Sequence, residues 1–413
     1  MVVKPTKIKC FVLIVIVFCF WKIHKIRLIR RGYPKDEFRT NWIGEQPKNG
    51  PMKTILLWTN YYSVPWLPRI GDFGSNKICP NLCTFTDDKS KLDESSAVLF
   101  HSAADNLDLN DLPKHRQFSQ FYVFFNQEPP PKSGWRDRPD LWKYFPDNFF
   151  NLTMTYRQDS DIYHPYDRFV PISDANQPSF SWEHVKEVVH RKDKMALQFV
   201  GNCYSESKRE PIIREMASYI SVDQFGYCAS KKCDKSCEND ILPEYYFFLA
   251  FENNICDEYV TEKFWRIKKL IVPIVLRRKL VPESVAPPNS FIAVDDFDSI
   301  ENLTTFLHFV SKNETEYLKF FEWTKKFQNT NSDDNLSFCD LCHKLHNNSA
   351  PRKYYKRMDK WYDPDGICVV YRLNGWLEVG HIWPKTVAFI VFLILFVLIL
   401  IFFIFKKFKL KLF

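Results

Sequence analysis

Short apolar runs separated by longer polar stretches set the character of the middle of the chain. TILLWT at 54–59, AVLFHS at 97–102 and QFYVFFN at 120–126 form a first set. A second set begins with MALQFVGN at 195–202. It continues through SVDQFGYC at 221–228, EYYFFLAFEN at 244–253, LIVPIVL at 270–276 and SFIAVDD at 290–296. Runs this short and this apolar read as strands buried on both faces, the mark of a parallel sheet covered by helices. KREPIIREMASYI at 208–220 has helical character between two of them. Two sets, divided by a polar stretch, predict an α/β protein with two Rossmann-like domains facing a cleft. We place them at 53–166 and 194–330, joined by a linker at 167–193. Open α/β sheets bind ligands beyond the carboxyl ends of their strands, so each domain is expected to hold one substrate.

The ends of the chain follow a different pattern. Residues 8–21 are a short, mostly apolar run, and residues 386–405 are apolar and uncharged over a length that spans a bilayer as a helix. No small-residue cleavage site follows the first run, so residues 1–21 are read as a cytoplasmic tail and uncleaved signal anchor. Residues 22–52, with Pro34, Gly44, Pro47, Gly50 and Pro51, read as a stem. Residues 331–384 form a cysteine-containing tail, and 385–405 a transmembrane helix. Lys406, Lys407, Lys409 and Lys411 put residues 406–413 in the cytoplasm. The stretch between the two spans is then lumenal. Much of the net charge of +8 sits in these flanks, where it favours anionic headgroups, and no nucleic-acid-binding pattern accompanies it.

Cysteines and sequons agree with a lumenal location. Ten of the 12 cysteines lie outside the apolar ends, and Asn151, Asn302, Asn313, Asn335 and Asn347 each open an N-x-Ser/Thr sequon. An oxidising, glycosylating compartment accounts for both. The close spacings Cys79/Cys83, Cys233/Cys237 and Cys339/Cys342 suit disulfides stapling small loops. They are also open to a zinc reading, with His343 and His346 near the last pair.

The segment FENNICDEYVTEKFWRIKKLIVPIVL, 251–276, carries the most chemistry. It reads as strand, charged turn, helix and strand, and it gathers Glu252, Asn253, Tyr259, Glu262 and Lys263 at the turn. A strand feeding a helix N-terminus offers free backbone N–H groups and a positive dipole end, which is a phosphate site. Lys263 adds a full charge, and Glu262 and Asn253 add groups that bind hydroxyls. A lone carboxylate, Glu128, ends the strand run 120–126 before three prolines and is the candidate base.

These strings resemble the α1,3-fucosyltransferases, glycosyltransferase family 10. The resemblance rests on FEN, YVTEKFW, VPIVL and PPNSFIAVDDF, with Phe125, Asn126, Glu128 and Pro130 matching a Phe-Asn-x-Glu-x-Pro setting. It runs from about 53 to 370, and the apolar C-terminal run lies outside it. It implies a two-lobed, GT-B-type enzyme that moves fucose from GDP-fucose onto a glycan with Glu128 as base. It implies that Arg209 and Lys263 contact the donor pyrophosphate, with Lys208 as an adjacent alternative to Arg209. Tyr259, Glu262 and Asn253 are implied as further donor contacts, and 160–167 as a border of the donor cleft. The family carries a proline where Pro273 stands, so LIVPIVL is kept as a strand. FCDLCHKLHN, Cys368 and RRKLVPESVAPPNSFIAVDDF look closest to invertebrate and plant members that act on the GlcNAc of the N-glycan core. The expected partners are therefore GDP-fucose, a GlcNAc-containing acceptor and the Golgi membrane.

No obligatory metal or other cofactor is expected. Asp295 and Asp296 would point to opposite faces of a strand, Asp333 and Asp334 have no visible partner, and the family uses basic groups in place of a cation. The alternative is a non-catalytic membrane-anchored protein of the same fold that only binds glycan or nucleotide.

Overall fold

In the computed structural model, residues 51–70, 82–133, 141–173, 178–329, 335–347, 352–363 and 367–369 are described. All belong to one compact unit, 42–413. The first apolar set becomes a six-stranded parallel sheet of β1 (Lys53–Leu57), β2 (Cys83–Thr86), β3 (Ala97–His101), β4 (Phe121–Asn126), β5 (Leu152–Thr155) and β6 (Ile162–Tyr163). Its order is β2-β1-β3-β4-β5-β6. β3 is buried along its whole length and β4 along nearly all of it, so both read as continuous apolar runs. β5 is equally buried but hides two threonines. Thr155 bonds the Ser160 hydroxyl at 2.6 Å, and the Thr153 N–H donates to Asp161 at 2.9 Å, so the polar groups are satisfied locally.

β7 (Phe169–Pro171) leads out of this sheet. The second sheet is also parallel, built from β8 (Lys194–Phe199), β9 (Val222–Phe225), β10 (Tyr245–Leu249), β12 (Val272–Val275) and β13 (Ile292–Ala293), with β11 (Ile255–Cys256) set apart from it. Its order is β13-β12-β10-β8-β9. β14 (Phe327–Asn329) returns to pair antiparallel with β7, and β15 (Cys368–Val369) with β11. In each large sheet the chain starts on an inner strand, steps to one side, then crosses to the other. The switch points lie between β1 and β3 and between β8 and β10, where a crevice opens at the strand ends.

Pro273 sits in β12 without loss of pairing. Ala250 N–H donates to Ile274 O at 2.9 Å, so the polar groups of Ile274 face β10 and those of Pro273 face β13. Pairing with β13 begins only at Ile274, so no ladder bond is forfeited there.

Two features sharpen the expectation from sequence. The helix expected after Lys263 forms as a 3₁₀ helix, Phe264–Lys269. Phe264, Ile267 and Leu270 are buried at a spacing of three, the period of a 3₁₀ rather than an α-helix, and Leu270 ends it with φ 55°. The described residues of the 331–384 segment also pack on the first sheet. The helix Asn335–His346 lays Phe338, Leu341 and Leu345 against Ile55, Leu57, Val123 and Phe125 on one face of the first sheet. Met358, Tyr362 and Cys368 join Leu56, Val98, Phe100 and Phe124 on the other. The C-terminal segment thus supplies much of the cover that crossover helices give elsewhere.

The disulfides follow this wrapping. Cys83 pairs with Cys342 and Cys256 with Cys368, over sequence separations of 259 and 112, and Cys203 pairs with Cys228. Of the close pairs expected, Cys233–Cys237 forms. Cys83 and Cys342 instead bond each other because the helix Asn335–His346 packs on the sheet that carries β2. Cys339 is also disulfide-bonded, and Cys79 lies outside the described residues. The apolar runs 8–21 and 386–405 likewise lie outside them, and among the described residues no helix is long and apolar enough to cross a membrane.

Candidate active site

Glu128 leaves the end of β4 at the carboxyl edge of the first sheet. Its backbone N–H donates to Asn126 Oδ1 at 2.8 Å, an Asx turn that aims the side chain out of the sheet. Tyrosine hydroxyls from three segments converge on the carboxylate. Tyr259 donates to Oε2 at 2.9 Å, and Tyr62 and Tyr166 donate to Oε1 at 3.4 and 3.5 Å. Tyr62 comes from the β1 switch point, where its N–H donates to His101 Nδ1 at 3.1 Å. Burial raises the Glu128 carboxyl above its usual range, while the Tyr259 hydroxyl and the Lys263 charge pull the other way. That pairing of effects suits a general base: basic enough to take a proton, yet held ionised.

The facing wall belongs to the second sheet. Phe251, Glu252 and Asn253 follow β10. Glu252 is buried and accepts from the Thr261 N–H and hydroxyl, both at 2.8 Å, and from Lys263 Nζ at 3.2 Å. Lys263 also meets Glu262 Oε1 at 3.0 Å. Burial alone would lower the Lys263 ammonium, but Glu252 and Glu262 outweigh it and raise it. The two acids differ in freedom. The Glu252 side chain is 8% exposed and that of Glu262 59%, so a bound anion can displace Glu262 while Glu252 stays.

Arg209 begins the helix Arg209–Met216 and is 1% exposed. Its guanidinium donates from Nη1 to Phe251 O at 2.6 Å and from Nη2 to Asn202 O at 3.0 Å. These carbonyls follow β10 and β8, so the planar fork ties the two sides of the second switch point together. It lies within the fields of Glu252 and Glu262. Asn253 brings its backbone carbonyl to the Ser207 N–H at 2.9 Å, and its buried Oδ1 has no hydrogen-bond partner among the described residues. Lys208, the alternative to Arg209, caps the helix with φ 54°.

Most backbone N–H groups expected to be free at the 251–276 turn are taken: Thr261 N donates to Glu252 Oε1 at 2.8 Å and Lys263 N to Thr261 Oγ1 at 3.4 Å. Phe264 N and Trp265 N both donate to Thr261 O, at 3.0 and 3.4 Å. The positive character of this wall therefore comes from the Lys263 and Arg209 side chains. Asp295 and Asp296 lie in a 3₁₀ turn rather than a strand. Asp296 is ion-paired with Arg278 at 2.6 Å, and Asp295 accepts the Arg278 N–H at 2.8 Å. Asp333 and Asp334 lie outside the described residues. Among the described residues no group of three His, Cys, Asp or Glu is placed to hold a metal.

Two segments of the chain match family models: residues 50–167 match "Fucosyltransferase, N-terminal", and residues 189–361 match "Glycosyltransferase family 10 (fucosyltransferase) C-term". The alpha-(1,3)-fucosyltransferase fut-5 of Caenorhabditis elegans is 32% identical over 331 residues, covering 76% of this chain and 84% of that protein. The chain belongs to the glycosyltransferase family 10 fucosyltransferases. The human 4-galactosyl-N-acetylglucosaminide 3-alpha-L-fucosyltransferase FUT5 is 32% identical, over 72% of this chain and 77% of its own length. A solved alpha1,3-fucosyltransferase with GDP-fucose aligns with 76% of this chain and 96% of its own at a TM-score of 0.47 and 15% identity.

Several residues of this family 10 enzyme escaped the sequence reading as site members. Tyr62 belongs to no recognised motif, although the doublet Tyr61–Tyr62 follows the first strand, where an open sheet places its ligands. Tyr166 lies in the 160–167 segment expected to border the donor cleft, but it bonds the base, Glu128. Glu258 adopts φ 64° and accepts the Gln158 N–H at 2.8 Å, which anchors the Tyr259 loop to the first sheet. Of the sequons, Asn302 and Asn347 are exposed, and Asn313 caps a helix through its side chain. Asn151 is a correction. It is 0% exposed, its Nδ2 donates to Lys353 O at 3.0 Å and its Oδ1 accepts the Tyr122 N–H at 3.0 Å, leaving no room for a glycan.

Removing the Tyr259 hydroxyl gives a directional prediction. Its bond favours ionised Glu128, so Tyr259→Phe raises the Glu128 pKa further. A base works ionised, so the acid limb of the kcat/KM profile is expected to move to higher pH, with the plateau rate less affected. Rates measured across the acid range check it; an unmoved limb contradicts it.

Proposed function

We propose that this protein is an inverting α1,3-fucosyltransferase that moves L-fucose from GDP-fucose to a GlcNAc of a glycoprotein glycan. The observation that carries the reading is a lone carboxylate on the first sheet, Glu128, bonded at 2.9 Å by Tyr259 from the same loop that carries the cation Lys263. In a single displacement the acceptor hydroxyl gives its proton to Glu128 as its oxygen bonds the anomeric carbon. The bond from that carbon to the phosphate oxygen breaks on the opposite face, and its electron pair leaves with GDP. Lys263, with Arg209 holding the crevice at its back, offsets the charge gathering on the diphosphate. Glu262, once displaced from Lys263, is free to take a ribose or fucose hydroxyl, and Asn253 offers a second hydroxyl contact. The leaving group is already good, so one base is enough.

In this reading the two sheets form a GT-B-type pair with the acceptor on the first and the donor on the second. The acceptor is the GlcNAc of the N-glycan core. Residues 8–21 and 386–405 anchor the protein in the Golgi membrane with the catalytic part in the lumen. The disulfides among the described residues support an oxidising compartment.

The test is transfer by the purified enzyme from GDP-fucose to a core N-glycan glycopeptide, beside the 4-galactosyl-N-acetylglucosaminide that the human relative's name specifies. An α1,3-linked product on the core GlcNAc supports the whole reading. A product only on the galactosylated acceptor removes the core assignment, and no product on either removes the function.

A further inference from the structure

The last described stretch of the chain reaches the catalytic base from behind. Tyr362 is 0% exposed, and its hydroxyl donates to the backbone carbonyl of Glu128 across a separation of 234 residues. Its ring packs edge-on against Phe124 of β4, with centroids 5.3 Å apart. The same segment is fastened to the first sheet at several points. Tyr355 N–H donates to Phe150 O at 2.9 Å, Asn148 N–H to Lys356 O at 3.2 Å, and the Tyr355 hydroxyl to Asp161 at 2.8 Å. Arg157 donates to Trp361 O at 3.0 Å while its guanidinium lies 4.7 Å above the Trp361 ring.

A few residues on, the segment grips the opposite wall. Cys368 is bonded to Cys256, β15 pairs with β11, and the Asp257 N–H donates to Ile367 O at 2.8 Å. Cys256 and Asp257 directly precede Glu258 and Tyr259. Two of the handles on Glu128 therefore lead back to this stretch, beside the Tyr62 and Tyr166 hydroxyls that hold Oε1. The backbone carbonyl is held by Tyr362, and the carboxylate by Tyr259, whose loop is fixed through Cys256–Cys368.

Building on the proposed reaction, we propose that residues 353–363 and 367–369 form a strap that positions the base, with Tyr362 as its positioning residue and Cys256–Cys368 as its clasp. The strap contributes no atom to the chemistry. It sets where the Glu128 oxygens stand relative to the acceptor hydroxyl, and small misplacements of a base are costly because proton transfer needs hydrogen-bond contact. Tyr362 bonds Glu128 and packs on Phe124, both on the first sheet, so loss of positioning should fall on turnover rather than on donor binding.

The variant is Tyr362→Phe, which keeps the ring and its packing and removes the hydroxyl. Transfer from GDP-fucose is expected to lose roughly tenfold in kcat, with the KM for GDP-fucose unchanged. The deciding comparison is the same substitution in a Glu128→Gln background. A residue that acts through the base has nothing left to position there, so the residual rate should not fall again. The paired substitution Cys256→Ser/Cys368→Ser, carried through the same two backgrounds, gives a second reading that does not depend on Tyr362. Equal losses with and without Glu128, or full turnover in Tyr362→Phe, overturn the strap while the fucosyltransferase reading stands. Absence of transfer by the wild type removes that reading and the strap with it.

Discussion

Glu128→Gln is expected to lower kcat/KM for fucose transfer by about 10²–10⁴-fold, the usual contribution of a positioned base, while affinity for GDP holds. The amide matches the carboxylate in shape; its oxygen can still accept from Tyr259, while its NH2 faces Tyr62 and Tyr166, whose hydroxyls must turn to accept. The amide cannot take the acceptor's proton. The pH profile adds a second signature. Burial raises the Glu128 pKa, so the wild-type rate should fall as pH drops through a value above the ordinary carboxylate range. That limb should be missing from the residual activity of the variant. Initial rates across pH, with GDP binding measured in parallel, check both. Full activity in Glu128→Gln would remove the mechanism.

Lys263→Met should damage both catalysis and stability, and the two effects can be separated. Loss of one well-placed donor to developing charge costs about 3–4 kcal/mol in the barrier, or roughly 10²–10³ in kcat. The substitution also strands Glu252, a buried carboxylate whose remaining partners are the Thr261 N–H and hydroxyl. Breaking a buried pair from one side costs about 3–5 kcal/mol. The double variant Glu252→Gln/Lys263→Met removes the stranded charge and should regain much of the lost melting temperature. It should regain none of the lost turnover, because the cation is still missing. Recovery of both together would mean that Lys263 serves the fold alone.

The strands were readable where both faces are buried. β3 and β4, and the strands of the second sheet around β10 and β12, stand out because no polar position interrupts them. β2 was hidden because CTFT is an edge strand with only Cys83 buried, and β5 because LTMT carries buried threonines whose partners, Asp161 and Ser160, sequence does not reveal. Glu128 and Lys263 were legible because strand-end turns concentrate chemistry and their strings resemble a known family. Tyr362 was not, since a contact across 234 residues leaves no local trace. The same holds for Cys83–Cys342, where spacing favoured near neighbours and the fold chose a distant partner. The 3₁₀ helix after Lys263 is an intermediate case. Its period-three burial of Phe264, Ile267 and Leu270 is present in the sequence, but a run of six residues is too short to set against a 3.6-residue period.

The most direct test is a crystal structure of the protein with GDP bound. The β-phosphate is expected in hydrogen-bond contact with Lys263 Nζ, with Glu262 turned away from it, Glu252 still in place, and the Glu128 carboxylate facing the terminal phosphate across the cleft. A diphosphate seated elsewhere, with Lys263 still closed onto both glutamates, would contradict it.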